Sequence, residues 1–163
     1  MGKIWLDGLR KPTLDVSVPQ IGAPAAWEAG HTGKGVQVAV VDTGVDTKHP
    51  DLAGKVVDQR DFTGGGDPGD TIGHGTHVAS TIAGTGAKSG GKHKGVAPDA
   101  SLLNAKVCMD RGCPESAILA GMQWATESGA KVVNMSLGGP DTAEISRWRR
   151  RSTSSAHSTT CCA

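Results

Sequence analysis

An α/β domain built on a mostly parallel sheet is the fold this chain predicts, and three observations predict it. Short apolar, β-branched runs recur along the chain, helix-patterned segments alternate with them, and the connections are rich in Gly and Pro. Val36–Val41 is apolar throughout except for Gln37, the pattern of a central parallel strand buried on both faces. Lys55–Phe62 is a weaker strand. His74–Ala83 reads as a helix with small residues on its packing side, and Ser101–Val107 as another strand. Ser116–Ser128 places Ile118, Leu119, Met122 and Ala125 on one helix face, with Gly129 suited to the position just past its end. Lys131–Met135 adds a further buried strand. Gly64–Gly69, Gly84–Gly91 and Gly138–Pro140 read as surface loops, and no internal repeat is visible.

Composition narrows what such a domain can do. At 163 residues the chain suits one domain or an incomplete larger one. With one Phe and no Tyr, its core must be largely aliphatic and rich in Ala. The formal charge of +1 conceals a split: Arg147, Arg149, Arg150 and Arg151 lie in a tail without acids, and residues 1–146 carry 13 basic against 16 acidic groups, a balance of −3. A weakly acidic body argues against nucleic acid as a partner. No stretch is long and apolar enough for a membrane span. Met1–Arg10 lacks the uninterrupted apolar core of a secretory signal, so any export signal is expected upstream of Met1. Cys108 and Cys113 bracket a short loop containing Gly112. They can close a small disulfide in an oxidising compartment, or remain thiols with one buried at a strand end.

After Ser146 the composition breaks. Residues 147–163 are mostly Arg, Ser, Thr and Cys without a hydrophobic period, which reads as a disordered extension or as an aberrant, frameshifted tail. Under one choice of GC-rich codons, the start of this tail read in another frame would encode Val-Glu-Ala-Ala-Val-Asp-Glu-Leu-Ser. That is an amphipathic helix of the kind the domain needs after its last strand. The sheet is expected to end on an unpaired edge.

Two strings carry chemistry. Asp42 follows the Val36–Val41 strand, where side chains of open parallel sheets gather at the carboxyl ends. A carboxylate there can hold an imidazole Nδ1–H, yet Asp-Thr-Gly is equally good turn chemistry. His74 opens the next helix between Gly73 and Gly75, rigid at its base and open to a cleft. Alone it also reads as an exposed helix-terminal His, and its three-residue spacing to His77 allows a metal pair. No His-Glu-x-x-His and no helper at zincin spacing accompany that pair.

Taken together the strings are far more specific. Val38–Asp51 (Val-Ala-Val-Val-Asp-Thr-Gly-Val-Asp-Thr-Lys-His-Pro-Asp) resembles the aspartate region of the subtilisin-like serine peptidases, the subtilases. Gly73–Thr81 (Gly-His-Gly-Thr-His-Val-Ala-Ser-Thr) resembles their histidine region, in the same chain order. Gly95–Pro98 and Val132–Gly139 extend the similarity. Ser17–Trp27 resembles a mature N-terminus, and Trp5–Gly8 the end of a propeptide. The resemblance covers nearly all of residues 5–146 and is similar to actinobacterial secreted members.

It implies a three-layer subtilisin-like fold, incomplete in this chain. Residues 1–16 would be the end of a propeptide or linker, 17–146 the N-terminal part of the peptidase domain, and 147–163 the aberrant tail. It implies a secreted, extracellular serine endopeptidase with a polypeptide substrate, and its own propeptide or a protease inhibitor as further partners. Asp42 would be the orienting acid and His74 the general base. Ser136, Leu137 and Gly138 would line the specificity side of the cleft and pair with an extended substrate, opposite a looser match near Arg111–Gly112. No cofactor is required for the chemistry. Asp51 stands at a position linked to structural calcium, although Gly84–Lys94 brings no acid to complete such a site. Asp67 and Asp70 offer another weak calcium candidate, a solvated turn being the alternative. The family's nucleophile context, Gly-Thr-Ser-Met-Ala, is absent from these residues, and so is the oxyanion Asn expected after the Gly138–Pro140 loop.

Overall fold

The computed structural model describes residues 14–138 and 160–162. Two short helices open it, α1 (Leu14–Gln20) and α2 (Ala23–Glu28). Then follow β1 (Gln37–Asp42), β2 (Val56–Asp61), α3 (His74–Ala83), β3 (Ser101–Lys106), α4 (Glu115–Glu127), β4 (Val132–Asn134) and β5 (Thr160–Cys162), with one 3-10 turn at Ala87–Ser89. The four expected strands and two expected helices are all present, within about two residues of their predicted bounds. Gly129 takes the left-handed conformation just past α4, as its position requires. Helices α1 and α2 have no counterpart in the sequence pattern, because elements of two turns or fewer leave too short an apolar period to read.

The sheet runs β2-β3-β1-β4-β5, and every neighbouring pair is parallel. Burial on both faces explains the continuous apolar run of β1: successive side chains point to opposite sides. Val38 and Val40 pack with Val45, Leu52, Ala79 and Leu102 on the α3 side. Ala39 and Val41 pack with Leu103, Ala105, Ile118 and Ala125 on the α4 side. Helices therefore cover both faces of the sheet in three layers, and each large aliphatic side chain so buried contributes about 1.5–3 kcal/mol. No helix among the described residues is long and apolar enough to cross a membrane.

The tail departs from expectation at one point. Rather than leaving β4 unpaired, Thr160–Cys162 add to it as a parallel strand. Main-chain pairing does not depend on side-chain pattern, so a segment without hydrophobic period can still satisfy an open edge. The propeptide-like Trp5–Gly8, the loop beyond Gly138 and the composition break at Ser146 lie outside the described residues.

Strand order also fixes where a site can form. From β1 the chain moves through β2 to β3 on one side, and α4 then carries it across to β4 on the other. The connections thus diverge at the carboxyl end of β1, which opens a crevice there.

Candidate active site

Asp42 is the last residue of β1 and is fully buried at that crevice. Its Oδ1 accepts the Thr43 backbone N–H at 2.7 Å and lies 2.7 Å from Nδ1 of His74. His74 is the first residue of α3, with a side chain 51% exposed. A carboxylate can only accept, so Nδ1 is the protonated nitrogen, and the neutral imidazole keeps its lone pair on Nε2 for the cleft. Oδ2 of Asp42 is buried with no hydrogen-bond partner among the described residues. Among the described residues the imidazole is therefore the one side chain that pairs with this acid, in surroundings where an unpaired charge is costly.

Close backbone approach makes this contact possible. A Cβ on Gly75 would overlap the Gly44 carbonyl oxygen and crowd Asp42 Cβ at 3.2 Å. Gly44, at φ +107°, has no room either: a Cβ would sit 2.6 Å from the Pro68 oxygen. Glycine at both positions lets the first turn of α3 lie directly on the turn after β1. The Gly-rich signature around His74 therefore serves packing as well as helix entry.

Asp70 is not the solvated turn residue that its loop composition suggests. Its Oδ1 accepts from the Thr43 hydroxyl (2.9 Å) and from the N–H groups of Ile72 (3.0 Å) and Gly73 (2.9 Å). Its Oδ2 accepts from the Thr76 N–H (2.9 Å) and hydroxyl (2.6 Å). Burial opposes its charge, but the Thr76 hydroxyl and the three backbone donors outweigh that and hold its carboxyl down at about 2. The sequence signal was an Asp four residues before the helix-opening His. It was missed because the helix has no capping side chain at Gly73 itself, and Asp70 caps it from a distance.

His74 and Asp42 line one side of an open cleft of about 470 Å³. Ser136, Leu137 and Gly138, just past β4, line it too. Facing residues come from the loop after β3, among them Met109, Asp110 and Gly112. Met109 and Gly112 exchange both backbone hydrogen bonds (3.0 and 2.9 Å), and Cys108–Cys113 are joined as a disulfide across the same loop. Val107 and Cys108 donate their N–H groups to the Asp42 carbonyl, so this wall is anchored on the acid's own backbone. Ile72, 44% exposed, is a further lining residue that the loop composition did not reveal. The Ser136 hydroxyl bonds to Asn134 Oδ1 at 3.0 Å.

Asp51, the calcium candidate, is engaged by the backbone of the loop after α3. Its Oδ1 accepts the Lys88 N–H at 2.7 Å, and its carbonyl oxygen accepts from the Thr85 N–H at 3.0 Å. A backbone donor thus faces the carboxylate, where calcium would require several further oxygens. Both oxygens of Asp70 are occupied as well. Among the described residues no three His, Cys, Asp or Glu side chains gather closely enough to hold a metal, and His77 is not brought into such a group with His74.

Comparison with known proteins gives this geometry a context. Residues 33–161 match the profile of the Subtilase family. The minor extracellular protease Vpr of Bacillus subtilis (strain 168) is 42% identical over 140 residues, covering 78% of this chain and 17% of that protein. An intracellular serine protease of Paenibacillus polymyxa is 45% identical over 130 residues, covering 76% of this chain and 39% of the relative. Thermitase of Thermoactinomyces vulgaris is 43% identical over 122 residues, covering 74% and 43%. The chain spans less than half the length of each of these relatives. A parallel three-layer sheet, a buried acid holding an imidazole at its crevice, and a family match across most of the sequence agree: this chain belongs to the subtilase family.

Proposed function

We propose that this chain supplies the acid–base half and part of the substrate cleft of a serine endopeptidase acting on polypeptides. The observation that carries this reading is the 2.7 Å contact from a fully buried Asp42 to a half-exposed His74 on the cleft wall. In this mechanism Nε2 of His74 takes the proton of a serine hydroxyl, and the serine oxygen attacks the scissile carbonyl. His74 returns the proton to the leaving amine, and water hydrolyses the acyl-enzyme. Asp42 orients the ring and stabilises the imidazolium formed in between. Ser136–Gly138 and the Met109–Gly112 loop hold the peptide in extended form between them.

The serine itself belongs outside these 163 residues, on the remainder of a longer chain or on a separate one. Ser152, Ser154, Ser155 and Ser158 lack the Gly-Thr-Ser-Met-Ala context, and Ser136 is engaged by Asn134 rather than by His74. In this family loss of the serine alone costs about 2 × 10⁶ in turnover. The chain by itself is therefore read as non-hydrolytic, and the tail after Ser146 as aberrant. A non-catalytic remnant that binds a peptide, its own propeptide or an inhibitor is the second reading. It is favoured by a cleft lined from two sides, by Ser136–Gly138 and by the loop after β3, and by the absence among the described residues of a serine hydrogen-bonded to His74. The Cys108–Cys113 disulfide supports export to an oxidising, extracellular setting.

Titrating the 163-residue chain into a labelled extended peptide, with product analysis and a serine-directed fluorophosphonate in parallel, tests both readings. Saturable binding with neither cleavage nor labelling is expected. Cleavage blocked by the fluorophosphonate would show a nucleophile within the chain. Absence of binding by folded protein would remove the cleft assignment.

A further inference from the structure

Asp70 makes no hydrogen bond to His74 among the described residues, yet it connects the segments on either side of it. The residue after Asp42, Thr43, gives its hydroxyl proton to Asp70 Oδ1 and accepts the N–H of Gly75, the residue after His74. On the other side of His74, the Gly73 N–H also ends on Oδ1. One turn further on, Thr76 gives both its N–H and its hydroxyl proton to Oδ2, while its oxygen accepts the Asp46 N–H at 3.0 Å. The end of β1 and the first turn of α3 are thus joined through one carboxylate. Both hydroxyls are fully committed, each donating to Asp70 and accepting from the opposite segment.

We infer that Asp70 is a positioning residue, whose carboxylate locks the start of α3 onto the end of β1 and thereby sets the Asp42–His74 hydrogen bond. The inference rests on the reading of His74 as a general base. Its physical ground is tolerance. An acid–imidazole pair works only when held within about 0.5 Å of its productive geometry, so the groups that fix its two backbones matter as much as the pair. An aliphatic or merely turn-forming residue at position 70 would leave the Gly73 and Thr76 N–H groups and both hydroxyls to find water. The two segments could then shift independently.

The test is the low-field proton resonance of His74 Nδ1–H in the ¹⁵N-labelled 163-residue chain, with Asp42→Asn as the assignment control. The wild-type chain should show the resonance and Asp42→Asn should lose it. A wild-type spectrum without it would defeat the acid–imidazole reading itself, and this inference with it. Given that control, Asp70→Ala should lose the resonance while the backbone amide dispersion of β1 and β3 persists. Asp70→Asn should retain it, because its amide oxygen can still accept from Thr43, Ile72 and Gly73. Thr43→Val removes only the link from Asp70 to β1 and Gly75, and should also abolish the resonance. It decides the matter if Asp70→Ala does not fold. An unchanged resonance in folded Asp70→Ala, or in Thr43→Val, would show that residue 70 merely stabilises the loop.

Discussion

Nδ1 of His74 and Oδ1 of Asp42 stand 2.7 Å apart across the junction of α3 and β1, one residue half in solvent and the other wholly out of it. Under the proposed function the two have unequal roles: the buried acid holds, and the exposed imidazole exchanges protons. Asp42→Asn keeps the shape but offers an amide where a carboxylate was, which no longer imposes the Nδ1–H tautomer. In an enzyme that includes the serine, kcat should fall on the order of 10⁴-fold with little change in KM. Steady-state kinetics of the complete protein checks this.

Gly75→Ala is expected to be damaging although it adds one methyl group. The new Cβ would overlap the Gly44 oxygen, which is backbone and cannot rotate away. Separating α3 from the turn after β1 should cost about 1–3 kcal/mol. Urea denaturation at neutral pH measures the cost, and loss of the His74 Nδ1–H signal would show that the Asp42–His74 contact moves with it.

Acid should destabilise the fold partly through Asp70. Its carboxyl is held at about 2 in the folded chain against an ordinary 3.8. A depressed folded value means that the unfolded chain binds the proton more readily. The carboxylate's contribution is therefore present above about 4 and is lost as the pH falls towards 2. Asp61 acts in the same direction: burial opposes its charge, but hydrogen bonds from Thr63 and Gly66 and the nearby Lys106 lower its carboxyl. Thermal unfolding followed across pH 2–6 should show a flatter acid limb in Asp70→Asn than in the wild type, a difference read directly from the two Tm profiles.

Reducing Cys108–Cys113 should affect binding as well as stability. The bridge closes a loop of six residues, for which chain-entropy reasoning gives about 2 kcal/mol. That loop is also one wall of the cleft. Peptide affinity measured with and without a phosphine reductant is expected to fall on reduction. The Cys108→Ser/Cys113→Ser variant should bind as weakly as the reduced protein and ignore the reductant.

Much of the architecture was legible in order and type. Val36–Val41 is apolar on both parities, which only a doubly covered strand tolerates, and the Ile118, Leu119, Met122, Ala125 spacing marked α4. Local pattern put Asp42 and His74 at element ends, and only the resemblance of the two strings around them implied an acid and a base there. α1 and α2 were too short to leave a period. The pairing of Thr160–Cys162 with β4 was hidden because main-chain hydrogen bonds carry no side-chain signature.

Local pattern, then, settles which segments become strands and helices and which residue types stand at their ends, since both follow from side-chain periodicity along a few neighbouring positions. Distances across the chain were decided elsewhere. That Asp70 grips Thr43 and Thr76, that the Lys88 backbone N–H reaches Asp51 Oδ1, and that Ile72 faces the cleft beside His74 all depend on the fold bringing separate loops together. Such contacts join residues 6 to 37 positions apart, and no local rule of backbone or side chain specifies them.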